Sequence, residues 1–88
     1  MDIKLALESD INFKIIKFFH ENQASIDTPR GVAAWINEGR GNVKRSLEEL
    51  TSLNILAAHR STSTTGYSYT SDAKLIQKID RLLKKRSA

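Results

Sequence analysis

The 88-residue chain has no cysteine, which excludes disulfides, thiolate metal sites and cysteine nucleophiles together. The absence fits an intracellular protein. No apolar run approaches the roughly 20 residues of a membrane span, so no membrane partner is expected. The N-terminal MDIKLALESD carries acids and lacks a long apolar stretch, which does not fit a signal peptide. No repeat occurs, and there is no P-loop, dinucleotide fingerprint, nucleophile elbow or zinc-protease motif. No catalytic residue and no cofactor are therefore expected. His20 and His59 are far apart and have no paired carboxylate at metal-ligand spacing, so no metal site is expected either. The length allows one domain, residues 1–88.

Charge is present but uneven. The net charge is +4 and the pI is near 9.6, a balance that suggests a polyanionic partner. Residues 1–70, however, hold eight Lys/Arg and eight Asp/Glu and sum to zero. The excess lies in residues 71–88, where six basic side chains face only Asp72 and Asp80. Local patterning is more telling. Between Glu38 and Glu48 the charged residues are Arg40, Lys44 and Arg45, and between Glu49 and Asp72 there is no acid.

Apolar spacing sets the elements. Residues 10–22, DINFKIIKFFHEN, put Ile11, Ile15, Phe18 and Phe19 on one face, a helix pattern with Ser9 as N-cap. Phe13, Phe18 and Phe19 read as core or as a dimer seam. Residues 2–8 fit a helix through Ile3 and Leu7 or a strand through Ile3, Leu5 and Leu7. Thr28-Pro29 opens a second helix, because the hydroxyl can cap and proline loses nothing at the first helical position. Val32, Ala33 and Ile36 face inward, Trp35 is expected to cover the core edge, and Gly39 and Gly41 are expected to end this helix. A third helix is expected from about Asn42, its cap, to Leu53, with Val43, Leu47 and Leu50 as the core stripe. Asn54 can take the left-handed conformation that stops it.

Residues 55–60 and 67–70 read as two strands around STSTTG, with Gly66 as a turn residue. Tyr67 and Tyr69 share one face and read as packing. A short extended piece near Ser25 and Ile26 can add a third strand. The last helix is expected to be capped by Ser71, with Leu75, Ile76, Ile79, Leu82 and Leu83 along one broad stripe.

Three helices, a hairpin and a final helix make a mostly α domain with a small β-hairpin (α+β). The pattern in residues 28–56, TPRGVAAWINEGRGNVKRSLEELTSLNIL, resembles a winged helix-turn-helix. Ala33 matches the small residue of the first helix of the motif. Asn42, Val43, Lys44, Arg45, Ser46, Leu47 and Leu50 match its recognition helix, and Leu53, Asn54, Ile55 and Leu56 match the exit. Asn54 replaces the usual glycine, and the connection Asn37–Gly41 is glycine-rich. The chain is most similar to small prokaryotic transcriptional regulators of the arsenic-repressor and multiple-antibiotic-resistance types. The resemblance implies an N-terminal extension (1–8), a winged-helix core (9–70) and a C-terminal helix (71–88). It further implies double-stranded DNA as partner and a cytoplasmic, nucleoid-associated location. The metal sensing of the arsenic-repressor type is not carried over, and no small-molecule effector is specified.

Basic residues at the front of the third helix and acids behind suit insertion into a major groove, since such a helix presents its N-terminal residues. Arg45, Lys44, Asn42 and Ser46 are the expected reading and anchoring residues. Arg40, Arg60, Ser61, Thr62, Ser63 and Thr64 are expected at the backbone, because hydroxyls and guanidinium groups donate to phosphates. A Lys-Arg pair is otherwise only a solvated face, and a Ser/Thr loop is equally a flexible hairpin tip. Leu75, Ile76, Ile79, Leu82 and Leu83 are expected to form a homodimer seam, the competing reading being that they pack on the first helix of the same chain. Lys84, Lys85 and Arg86 read as a solubilising end or a phosphate-touching tail. The competing function is a winged-helix module that binds protein and not DNA.

Overall fold

The computed structural model describes residues 2–87. Met1 and Ala88, the ends of the expected single domain, lie outside the described residues. Five helices and three strands follow in the order α1 (Ile3–Ala6), α2 (Asp10–Glu21), β1 (Ile26–Asp27), α3 (Pro29–Ile36), α4 (Arg40–Ser52), β2 (Leu56–Arg60), β3 (Thr65–Tyr69) and α5 (Ala73–Ser87). The strands form one antiparallel sheet in the order β1-β3-β2.

Local chemistry accounts for most boundaries. Ser9 caps α2 by accepting from the Asn12 amide, and Thr28 caps α3 by accepting from the Gly31 amide, with Pro29 at its first position. Residues 2–8 resolve as a single helical turn capped by Asp2, which turns Ala6 and Leu7 into the core. Two asparagines stop helices by adopting left-handed backbone, Asn37 after α3 (φ 57°) and Asn54 after α4 (φ 62°). Asn tolerates that region because its short polar side chain bonds locally.

Four expectations about boundaries are corrected. Gly39 and Gly41 do not end α3, which stops at Ile36 with Asn37 as its cap. Gly39 is instead the N-cap of α4, and Gly41 and Asn42 lie inside that helix. Gly66 is not a turn residue but a strand residue of β3, opposite His59. A Cβ at Gly66 would lie 2.9 Å from Ile26 Cγ2, so glycine lets β1 cross the hairpin closely. The cap of α5 is Asp72, not Ser71: its Oδ1 accepts from the amides of Lys74 (3.0 Å) and Leu75 (3.3 Å).

The core joins the five helices and the β2–β3 hairpin. Ile15, Ile16 and Phe19 of α2, Val32 of α3, Val43, Leu47 and Leu50 of α4, and Ile79 of α5 are fully buried. Leu56, Tyr67 and Tyr69 close the core from the sheet, together with Ile55 just before β2. Trp35 does not cover the core edge. It is 72% exposed, and its ring lies 5.9 Å from that of half-buried Phe18.

Candidate nucleic-acid interface

Helix α4 is set by its apolar stripe. Burying Val43, Leu47 and Leu50 completely against α2 and α3 turns Arg40, Gly41, Asn42, Lys44 and Arg45 to solvent, with Ser46 half-buried. Among the described residues, Arg40, Lys44 and Arg45 have no carboxylate within ion-pair distance. The first turn carries no side-chain cap, so its leading amides stay free to meet an anion. Apart from its chain neighbours and the nearby backbone of its own helix, nothing lies within 4 Å of where a Gly41 Cβ would be. The front of α4 is thus an exposed surface with three cations that form no ion pair among the described residues.

The two acids of α4 do not share that surface. Glu49 accepts from Asn12 Nδ2 at 2.7 Å, the same nitrogen that donates to the Ala6 carbonyl at 3.0 Å. Asn12 is itself buried, and its Oδ1 is without a partner. Glu48 turns toward the hairpin. It accepts from both terminal nitrogens of Arg60 (nearest 3.0 Å) and from the Tyr67 hydroxyl. The Arg60 hydrogen bonds, then that of Tyr67, hold the Glu48 carboxyl below the usual carboxylate range. Burial, then the Glu48 carboxylate, pushes the Tyr67 phenol up.

Of the expected contact residues, Arg40, Asn42, Lys44, Arg45 and Ser61–Thr64 are exposed and Ser46 is half-buried. Arg60 is displaced from the expectation: its guanidinium is paired with Glu48 rather than free for a phosphate. Ser61, Thr62, Ser63 and Thr64 are all exposed and form the tip of the β2–β3 hairpin. The tip is closed by the Ser61 amide on the Thr64 carbonyl (2.9 Å), and the Ser61 hydroxyl donates to the same carbonyl (2.8 Å). Ser61 is thereby spent on the turn.

The expected dimer seam divides. Ile79 and Leu83 are buried in the chain's own core and are not available to a partner, while Leu75, Ile76 and Leu82 are half-buried. Arg86 is not a loose tail. Its guanidinium donates to the Leu7 carbonyl and pairs with Asp10, and it lies 4.2 Å from the Phe13 ring centroid. His20 is a satisfied residue between α2, β3 and α5, with Nδ1 3.0 Å from the Tyr69 hydroxyl and Nε2 2.9 Å from Asp80. Lys84, then His20, keeps the Asp80 carboxyl below its ordinary range. Burial pushes the Tyr69 phenol well up. Sequence reasoning missed the Glu48–Arg60–Tyr67 cluster and the Asn12–Glu49 bond. No local signal announces either, because the partners lie 12 to 37 positions apart.

Known structures share this fold. A protein described as a possible transcriptional regulator from Methanosarcina mazei Go1 superposes with a TM-score of 0.74 at 16% identity, covering 97% of this chain and 76% of that one. A homodimeric winged helix-turn-helix DNA-binding domain from Mycobacterium bovis gives 0.67 at 13% identity, covering 91% and 73%. The fold is a winged helix. The ferric uptake regulator of Francisella tularensis also matches, with a TM-score of 0.68 at 18% identity over 73% of this chain. The chain spans about half of that protein, 53% of its length. No family model matches the sequence, and no curated protein does. In winged-helix terms, α3 and α4 correspond to the helix-turn-helix, and β2 and β3 with their tip to the wing.

Proposed function

We propose that the chain binds double-stranded DNA in a sequence-specific manner as a dimeric transcriptional regulator, with α4 in the major groove. One observation carries this reading. The exposed front of α4 presents Arg40, Lys44 and Arg45 outside any ion pair among the described residues, while Glu48 and Glu49 of the same helix are bonded to Arg60, Tyr67 and Asn12. A groove-inserted helix requires that order, since its N-terminal residues meet bases and phosphates. The regulators among the structural neighbours support the reading, and the homodimeric state of the M. bovis domain supports a dimer.

Arg45 is assigned to base edges and Lys44, Asn42 and Ser46 to anchoring. Arg40 and the exposed tip residues Thr62, Ser63 and Thr64 are assigned to the phosphate backbone. A bidentate Arg–guanine contact contributes about 1–3 kcal/mol of discrimination. Arg45→Ala should therefore weaken a selected operator by about 10- to 100-fold and random duplex by far less. Fluorescence anisotropy on both duplexes checks it. An equal loss on both would make Arg45 a phosphate contact, and no binding by the wild-type protein at low salt would end the DNA reading.

A second reading, a protein-binding winged helix, is favoured by one observation: Trp35 stands 72% exposed on α3. Trp is over-represented at protein interfaces.

A further inference from the structure

The wing and the recognition helix are tied by a charge pair whose two members would have opposite effects on DNA binding. Arg60 is the only Lys or Arg between Arg45 and Lys74, and it sits at the end of β2, where the hairpin tip begins. It is 58% exposed at the side chain, so a phosphate could reach it. Glu48 nevertheless holds it through both terminal nitrogens, and Tyr67 fixes the carboxylate from the strand beside β2. A fork-to-carboxylate pair of this kind is geometrically specific. It also neutralises the one cation that the wing owns.

We infer that Glu48 is a specificity-positioning residue that withholds Arg60 from the DNA backbone, so that the charges of the α4 front, and not the wing, set affinity. The inference rests on the DNA reading. Its physical basis is the division between contacts that attract any duplex and contacts that read bases. A free wing arginine strengthens binding to every sequence alike and dilutes the share of the total that Arg45 supplies. An arginine already paired with a carboxylate releases no counterion from DNA, so the wing adds little to random-sequence affinity. Glu49, one residue on, bears the same charge but bonds Asn12 and no arginine. It therefore serves as the matched control for net charge.

The experiment is a mutant cycle read by anisotropy of a random-sequence duplex across a salt series. The wild-type protein, Arg60→Ala, Glu48→Gln, the double variant Glu48→Gln/Arg60→Ala, and Glu49→Gln are compared. Each neutralised phosphate steepens the plot of log affinity against log salt by about 0.9. Glu48→Gln should steepen it by about that amount and bind random duplex more tightly. The double variant should return to the wild-type slope, and Arg60→Ala alone should leave the slope unchanged. Three results would overturn the inference. Arg60→Ala alone could flatten the slope, which would place Arg60 on DNA already. Glu48→Gln and Glu49→Gln could act equally and without dependence on Arg60, which would reduce the effect to net charge. Glu48→Gln could also weaken binding while keeping native helix content, which would make the pair a brace. Arg60→Ala changes an exposed side chain and keeps the first of these decisive even if Glu48→Gln fails to fold. Wild-type protein that binds no duplex at low salt would sink the DNA reading itself, and Arg45→Ala run alongside tells the two failures apart.

Discussion

A carboxylate on a half-exposed helix face ordinarily contributes little to stability, because water screens it. Glu48 is different in kind, since it accepts from a guanidinium and from a phenol held in the core. Its folded-state pKa lies below the ordinary value of 4.5. The unfolded chain therefore takes up the proton first as the pH falls. The stabilisation is complete above about pH 4.5 and is lost as the pH drops through the folded pKa. Asp80 has the same sign through Lys84 and His20. Urea unfolding should accordingly show lower stability at about pH 3 than at neutrality, and Glu48→Gln should shrink that difference without abolishing it. An unchanged difference in the variant would show that the carboxylate contributes nothing to folding. The basic front of α4 was visible in the sequence as an interval in which basic residues come ahead of Glu48 and Glu49. Why those two acids do not spoil it was not visible, because their partners Arg60, Tyr67 and Asn12 are close only after folding.

Among the elements, α4 carries an internal cost that its sequence position explains. Gly41 lies in the first turn of a 13-residue helix and has ordinary negative φ. Glycine in a helix loses more backbone entropy than alanine, about 0.5–1 kcal/mol. A Cβ there would touch nothing within 4 Å. Gly41→Ala should therefore stabilise the protein by about 0.5–1 kcal/mol in thermal or denaturant unfolding. Destabilisation would mean that the helix begins later than Arg40. The apolar periods of α2, α4 and α5, the cap and proline of α3, and the left-handed Asn54 were all legible before folding. The start of α4 was not, because glycine serves equally as a helix terminator and as an N-cap, and Asn37 had already taken the terminating role. Gly66 was misread for a related reason. Its small size answers a close approach by Ile26 from a strand 40 residues earlier, not a local turn.

At the scale of the whole molecule, α5 has two jobs. Ile79 and Leu83 fill the core, and Arg86 fastens the end of the helix to the turn between α1 and α2. A five-residue apolar stripe cannot by itself say how much of it stays inside the chain. The fold answers that two positions do, leaving Leu75, Ile76 and Leu82 half-buried. Beside Leu82 lies an open groove of about 380 Å³ lined by Lys4, Leu7, Glu8, Leu82, Lys85 and Arg86. Leu5 projects from the adjoining α1, 56% exposed. A two-fold contact on this side would bury the same patch on both copies, with Leu5 among the apolar residues removed from water. Core and seam then separate by mutation. Ile79→Ala should cost about 2–5 kcal/mol of folding stability. Leu5→Glu, by contrast, should leave the folded monomer intact and abolish association. Sedimentation velocity over a concentration series reads this directly. The wild-type protein should move as a dimer, with a Tm that rises with concentration because association stabilises the folded state, and Leu5→Glu should sediment as a monomer with a concentration-independent Tm. A wild-type protein that stays monomeric throughout would remove the dimer, and with it the expectation of two half-sites one helical turn apart.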